Sequence, residues 1–130
     1  MAHPNVDIVR DGYAAFRKGD RISLRQHLLA PDSQWHMTGY GPLSGEYTGV
    51  ERVMAWIDRR DELCGGTFRI EVHDVVGNDE HVVALTTIHA SRNGNLLEDN
   101  AVQLYHMRDG RITEAWSVPC DQRAADEFWS

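Results

Sequence analysis

Between residues 67 and 118, short turn signals separate long β-rich runs, and this pattern constrains the fold more than any other feature. Asn93-Gly94 is a two-residue hairpin signal, because the tight turns that match strand twist need positive φ at their central positions. Asp109-Gly110 and Gly77-Asn78-Asp79 mark two more turns. Thr67 to Val76 alternates Phe68, Ile70 and Val72 against Arg69, Glu71 and His73. His81 to Ser91, Leu96 to Met107 and Arg111 to Val118 supply three further runs. Strands joined this closely pair with their sequence neighbours, which predicts a four-strand antiparallel meander.

The first half reads as helical. Val6, Val9, Tyr13 and Phe16 fall on one face of a helix capped by Asn5, running to Lys18 and ended by Gly19. Asp20 starts a shorter helix with Ile22, Leu24, Leu28 and Leu29, stopped before Pro31. Gln34 to Thr38 is a predicted strand, and Gly39, Gly41, Pro42 and Gly45 mark a loop. Thr48-Gly49-Val50-Glu51 has the form of a capping box. The helix after it carries Val50, Val53, Met54 and Ile57 on one face and ends at Gly65-Gly66. Asp121 caps a last short helix with Ala125, Phe128 and Trp129 on one side. Helices in one half and hairpin-linked strands in the other predict an α+β domain spanning residues 1–130. A twisted sheet wrapped around helices leaves a cone with an open end, and such concave sites take small molecules.

Charge narrows the partners. Thirteen Lys and Arg against twenty Asp and Glu give a net charge of -7. That balance supports neither nucleic acid nor an anionic membrane as partner. No apolar stretch approaches the roughly 20 residues that span a bilayer. The N-terminus lacks a basic region followed by an apolar run, so no signal peptide is expected. Cys64 and Cys120 read as two reduced thiols, consistent with a cytoplasmic protein.

Several motifs in this order resemble a known family. They are Tyr13-Ala14-Ala15-Phe16-x-x-Gly19-Asp20, Ala30-Pro31-Asp32 leading to Trp35-His36, and Gly41-Pro42-Leu43-x-Gly45-x-Tyr47-x-Gly49. Arg108-Asp109-Gly110-Arg111-Ile112, Asp121-Gln122 and Phe128-Trp129-Ser130 complete the set. The chain resembles SnoaL-like members of the nuclear transport factor 2-like superfamily, over nearly its whole length. The resemblance implies a cone-shaped, curved antiparallel or mixed sheet around N-terminal helices, with a short C-terminal helix. It also implies that any reaction would be a cofactor-independent isomerisation, cyclisation or lyase step by general acid–base catalysis. Its ketosteroid isomerases use an Asp base where this chain has Met37, and an oxyanion-donating Asp where it has Gln103. Their Tyr falls near Gly12, one position from Tyr13. The Arg-x-Asp of limonene epoxide hydrolases has no counterpart in Leu85 to His89. The acid/base Asp of polyketide cyclases matches Asp121.

Residue by residue, the catalytic candidates are Asp121, Glu114 and His36, and the ligand-binding candidates are Tyr13, Trp35, Met37, Gln103, Tyr105 and Trp116. Glu114 shares a strand face with Trp116: pointing inward it would be a carboxyl of raised pKa, pointing outward a solvated charge. His36 faces away from the pocket if Met37 faces into it, leaving it an interface histidine or a general base. Asp121 serves either as a helix cap or as an acid/base. Trp35 and Trp116 are core or pocket walls, Met37 makes the site apolar, and Gln103 with Tyr105 offers hydrogen bonds. The seven histidines form no HxxxH, HxH or HExxH, so no metal is expected. No GxGxxG, Walker loop or GxSxG is present, so no cofactor is expected. The expected partner is a small apolar or aromatic ligand. The rival expectation is a non-catalytic module that binds a ligand or a protein. Val102, Leu104 and His106 alternate with Ala101, Gln103 and Tyr105, so both faces of that strand are largely apolar, which predicts a homodimer through the sheet face.

Overall fold

The computed structural model describes residues 2–130. Helix α1 (Pro4–Arg17) is followed by α2 (Arg21–Ser23), which runs on into a π-helical turn at Leu24–Leu28. Strand β1 (Leu29–Met37), strand β2 (Gly45–Thr48) and helix α3 (Val50–Leu63) come next. The meander is β3 (Arg69–Gly77), β4 (His81–Arg92), β5 (Asn95–Arg108) and β6 (Arg111–Pro119), closed by α4 (Gln122–Trp129).

Four local expectations are corrected. The cap of α1 is His3, whose Nδ1 accepts from the Asn5 amide at 3.1 Å. Asn5 itself is buried, and its Nδ2 donates to the carbonyls of Asn78 and Asp79 at 3.0 Å each. Pro4 explains the shift, since proline suits the first helical position, where no amide hydrogen is needed. The second helix ends before Leu29, which already starts β1. Part of the predicted loop pairs with β1 as β2, in the register Trp35 to Tyr47 and His36 to Glu46. The capping box does not form, because Gly49 takes the N-cap position of α3 at φ +92° and leaves Thr48 in the strand. A positive φ there turns the chain directly from strand to helix, which favours glycine.

The six strands lie in the order β2-β1-β6-β5-β4-β3. All neighbours are antiparallel except β1 and β6, which run parallel. The edge strands do not pair with each other, so the sheet curls without closing. Register breaks between Val72 and Asp74 and between His106 and Met107 mark irregularities that increase its curvature. Pairing places Val82, Ala84, Thr86, Gln103, Tyr105 and Ala115 on the concave face. There Val6, Val9, Leu24, Val53, Met54, Ile57 and Ile112 join them in one core. A second cluster gathers Leu43, Cys64, Ala90, Leu97, Phe128 and Trp129 under α4. No helix among the described residues is long and apolar enough to cross a membrane.

Candidate functional site

Between the concave face and the helices is a cavity of about 170 Å³. It slightly exceeds the roughly 150 Å³ engineered cavity that takes benzene. Its walls are mainly apolar, with Val9, Leu24, Leu28, Trp56, Ile88 and Trp129 among them. Five of the ligand-binding candidates line it: Tyr13, Trp35, Met37, Gln103 and Tyr105. Tyr13 arrives from the apolar face of α1, and Gln103 and Tyr105 from alternate positions of β5.

The Tyr13 and Tyr105 hydroxyls are hydrogen-bonded at 2.7 Å. Burial pushes both phenols up, Tyr105 to about 12 and Tyr13 further, with Tyr105 itself adding to the rise at Tyr13. At neutral pH both are therefore protonated, and this pair can only donate or share protons. Gln103 Nε2 reaches Thr86 Oγ1 at 3.4 Å, a long contact that leaves its amide largely free to meet another group. Trp35 packs edge-on against Trp56 with centroids 6.0 Å apart. Its indole Nε1 is occluded and has no hydrogen-bond partner among the described residues.

The remaining candidates lie elsewhere. His36, Glu114 and Trp116 form a cluster on the convex face. His36 Nε2 and Glu114 Oε2 are 2.6 Å apart, His36 Nδ1 also bonds Glu46, and His36 stacks on Trp116 at 4.8 Å. His106 Nδ1 lies 3.4 Å from Glu114 Oε1. Desolvation opposes charge on His36, but the bonds to Glu114 and Glu46 outweigh it and raise its pKa above the usual value. Among the described residues, no group of three or more such side chains is arranged to hold a metal ion. Asp121 caps α4, its Oδ1 accepting from the Ala124 amide at 3.0 Å. Its own amide donates to Asp99 Oδ2 at 3.1 Å.

Three charged residues that line the cavity went unnoticed in the sequence. Asp99 precedes Ala101, Gln103 and Tyr105 in the period-2 pattern of β5, and that alternation was signal enough. Asp126 lines it from α4, accepting from the Tyr40 amide at 3.2 Å and Gln122 Nε2 at 3.0 Å. Arg60 continues the stripe Val53, Met54, Ile57 of α3, so a charge sits where a core residue was due. It is only 4% exposed, and burial lowers its pKa. Its guanidinium lies 3.7 Å from the Phe68 ring centroid and 4.9 Å from that of Phe16.

The arrangement can therefore hold an apolar ring system, donate a hydrogen bond from a phenol, and accept a proton at a carboxylate. A sequence model of the SnoaL-like domain matches residues 9–115. The Mycobacterium tuberculosis protein Rv0034, itself uncharacterized, is 33% identical over 127 residues, 97% of this chain and 96% of that one. Bal32a, from a soil-derived mobile gene cassette, superposes with a TM-score of 0.94 at 31% identity over 99% of this chain and 98% of that one. TerC, co-crystallized with polyporic acid, has a TM-score of 0.84 at 23% identity over 97% of this chain and 98% of that one, a likeness of fold alone.

Proposed function

The chain belongs to the SnoaL-like domain family, and on that premise we propose that it binds a small aromatic molecule in the cone and moves a proton on it. The reaction class is a cofactor-independent isomerisation or cyclisation at a carbonyl compound. The observation that carries this is the buried Tyr13–Tyr105 pair, two protonated phenols facing an apolar cavity. A hydroxyl held there donates to a carbonyl oxygen and stabilises the enolate that forms when an adjacent C–H is deprotonated. Asp99 and Asp126 are the carboxylates on the cavity wall available to accept that proton. TerC's polyporic acid belongs to that protein, and ligand binding is carried to this chain only as part of the proposal.

The test uses 2-tetralone, a two-ring ketone with exchangeable α-protons. The full chain in D2O should speed deuterium uptake at those positions, followed by proton NMR. Tyr13→Phe and Tyr105→Phe should each slow the catalysed exchange, by on the order of a hundredfold for a lost oxyanion donor. A second reading, binding without chemistry, is favoured by the position of His36 and Glu114 on the far side of the sheet. Saturable tetralone binding with no exchange above buffer would establish it and end the catalytic reading. We also propose that a second copy of the chain covers the convex face, where Leu85 is 45% and Val118 43% exposed.

A further inference from the structure

We propose that Arg60 and Trp35 form an anion anchor at the aromatic end of the cavity, and that the ligand carries an ionised oxygen conjugated to its ring system. The inference rests on the small-molecule reading above and names the class of molecule.

Its basis is a surplus of buried donors. Arg60 and Trp35 both line the cavity, and each has an occluded nitrogen with no partner among the described residues: Nε of Arg60 and Nε1 of Trp35. They belong to one aromatic cluster. Trp56 packs against Trp35 at 6.0 Å and lies 5.4 Å from the Arg60 guanidinium carbon. The other indole of this cluster, Trp56, is satisfied, donating to the Leu43 carbonyl at 3.0 Å.

Buried donors are rarely left unpaired, and a buried charge is the strongest case. A purely structural arginine at this site would be expected to have its carboxylate to itself. Arg60 does not. Its side chain's one hydrogen bond among the described residues is from Nη2 to Asp61 Oδ1 at 3.1 Å. Asp61 Oδ2 also accepts from Arg21 Nη2 at 3.1 Å, so Asp61 is shared, while Arg21 has Asp58 as a second partner, Nη1 to Oδ1 at 2.8 Å. Phe16, Trp56 and Phe68 surround the guanidinium, whose Nε has no hydrogen-bond partner among the described residues. A neutral carbonyl can accept from either donor, whereas an ionised oxygen makes a charge-assisted bond to the buried guanidinium and is held more strongly there. Rings that stack against the same aromatic walls would carry that anion, which selects an aromatic carboxylate or an ionised aromatic enol.

Dissociation constants on the full chain, from titration calorimetry, decide it. The probes are 2-naphthoate, ionised 2-hydroxy-1,4-naphthoquinone and the neutral 2-acetylnaphthalene. At least one anion should bind about tenfold or more tighter than the ketone, as a charge-assisted hydrogen bond requires. The tighter anion tells carboxylate from enolate. Arg60→Gln should reduce that preference to within about twofold. Trp35→Phe, which keeps a ring and loses the donor, should weaken the anion several-fold and serves if Arg60→Gln does not fold. Equal affinities of all three probes for the native chain would overturn the anchor and leave the cone as a binding site. A preference that survives in Arg60→Gln would overturn it too. Failure of every probe to bind would remove the small-molecule reading, and the anchor with it.

Discussion

Single side chains in this protein carry roles that their immediate neighbours in sequence do not announce. Asn5 looks like a helix cap and is instead the clasp between α1 and the β3–β4 turn, with two carbonyls on one amide. Asn5→Ala should therefore cost about 1–3 kcal/mol, the range for buried groups left unpaired, in urea unfolding. A change within a few tenths of a kcal/mol would show the clasp to be idle. His36 was legible as a residue opposite Met37, but its ion pairs were not, because Glu46 and Glu114 reach it from neighbouring strands. Its pKa is raised on folding above the usual 6.5. The stability it contributes is thus fully present below about pH 6.5 and lost as pH rises through the folded value. Glu114→Gln should destabilise more at pH 6 than at pH 9 by chemical denaturation. Equal losses at both would contradict the linkage.

Among the elements, α4 shows best how local chemistry and tertiary placement combine. Asp121 was read both as a cap and as an acid/base, and its Oδ1 is bonded to the Ala124 amide. Asp121→Ala should lower stability by about 1 kcal/mol, visible as a fall of several degrees in Tm. Asp121→Asn keeps a capping oxygen and should retain both Tm and tetralone exchange; loss of exchange alone would restore a chemical role. Opposite α4, Gly39 has φ +92°, and a Cβ there would lie 2.2 Å from Asp126 Oδ1 and Gln122 Nε2. Those two side-chain tips would have to swing aside, and the positive φ strains any residue with a Cβ, so Gly39→Ala should lower Tm by several degrees. The helices and meander strands followed from period and turn chemistry. Strand β2 did not, because its four residues between glycines carry little pattern of their own and gain strand geometry only by pairing with β1.

At the scale of the molecule, the curled sheet has one face filled by helices and cavity and another that presents Val76, Leu85 and Val118, 53%, 45% and 43% exposed. Sedimentation equilibrium at micromolar concentration should give twice the 14.8 kDa chain mass. Leu85→Lys should shift that mass toward one chain, and a native species near 15 kDa would refute the dimer. The α+β class, the meander, the apolar helix face that carries Tyr13 and the strand face shared by Gln103 and Tyr105 were set by the chain itself. Periodicity is a local property, and alternation decides which residues share a face wherever a strand is regular. The tertiary structure alone decided which face looks into the cone, where β1 lies parallel to β6, and how Arg60 and Trp35 come to share one aromatic cluster. Those outcomes depend on long-range pairing and on burial, whose energies arise only when distant segments exclude water together. Hence Glu114 took the outward of its two readings, while Arg60, a charge, went inward along the apolar stripe of α3.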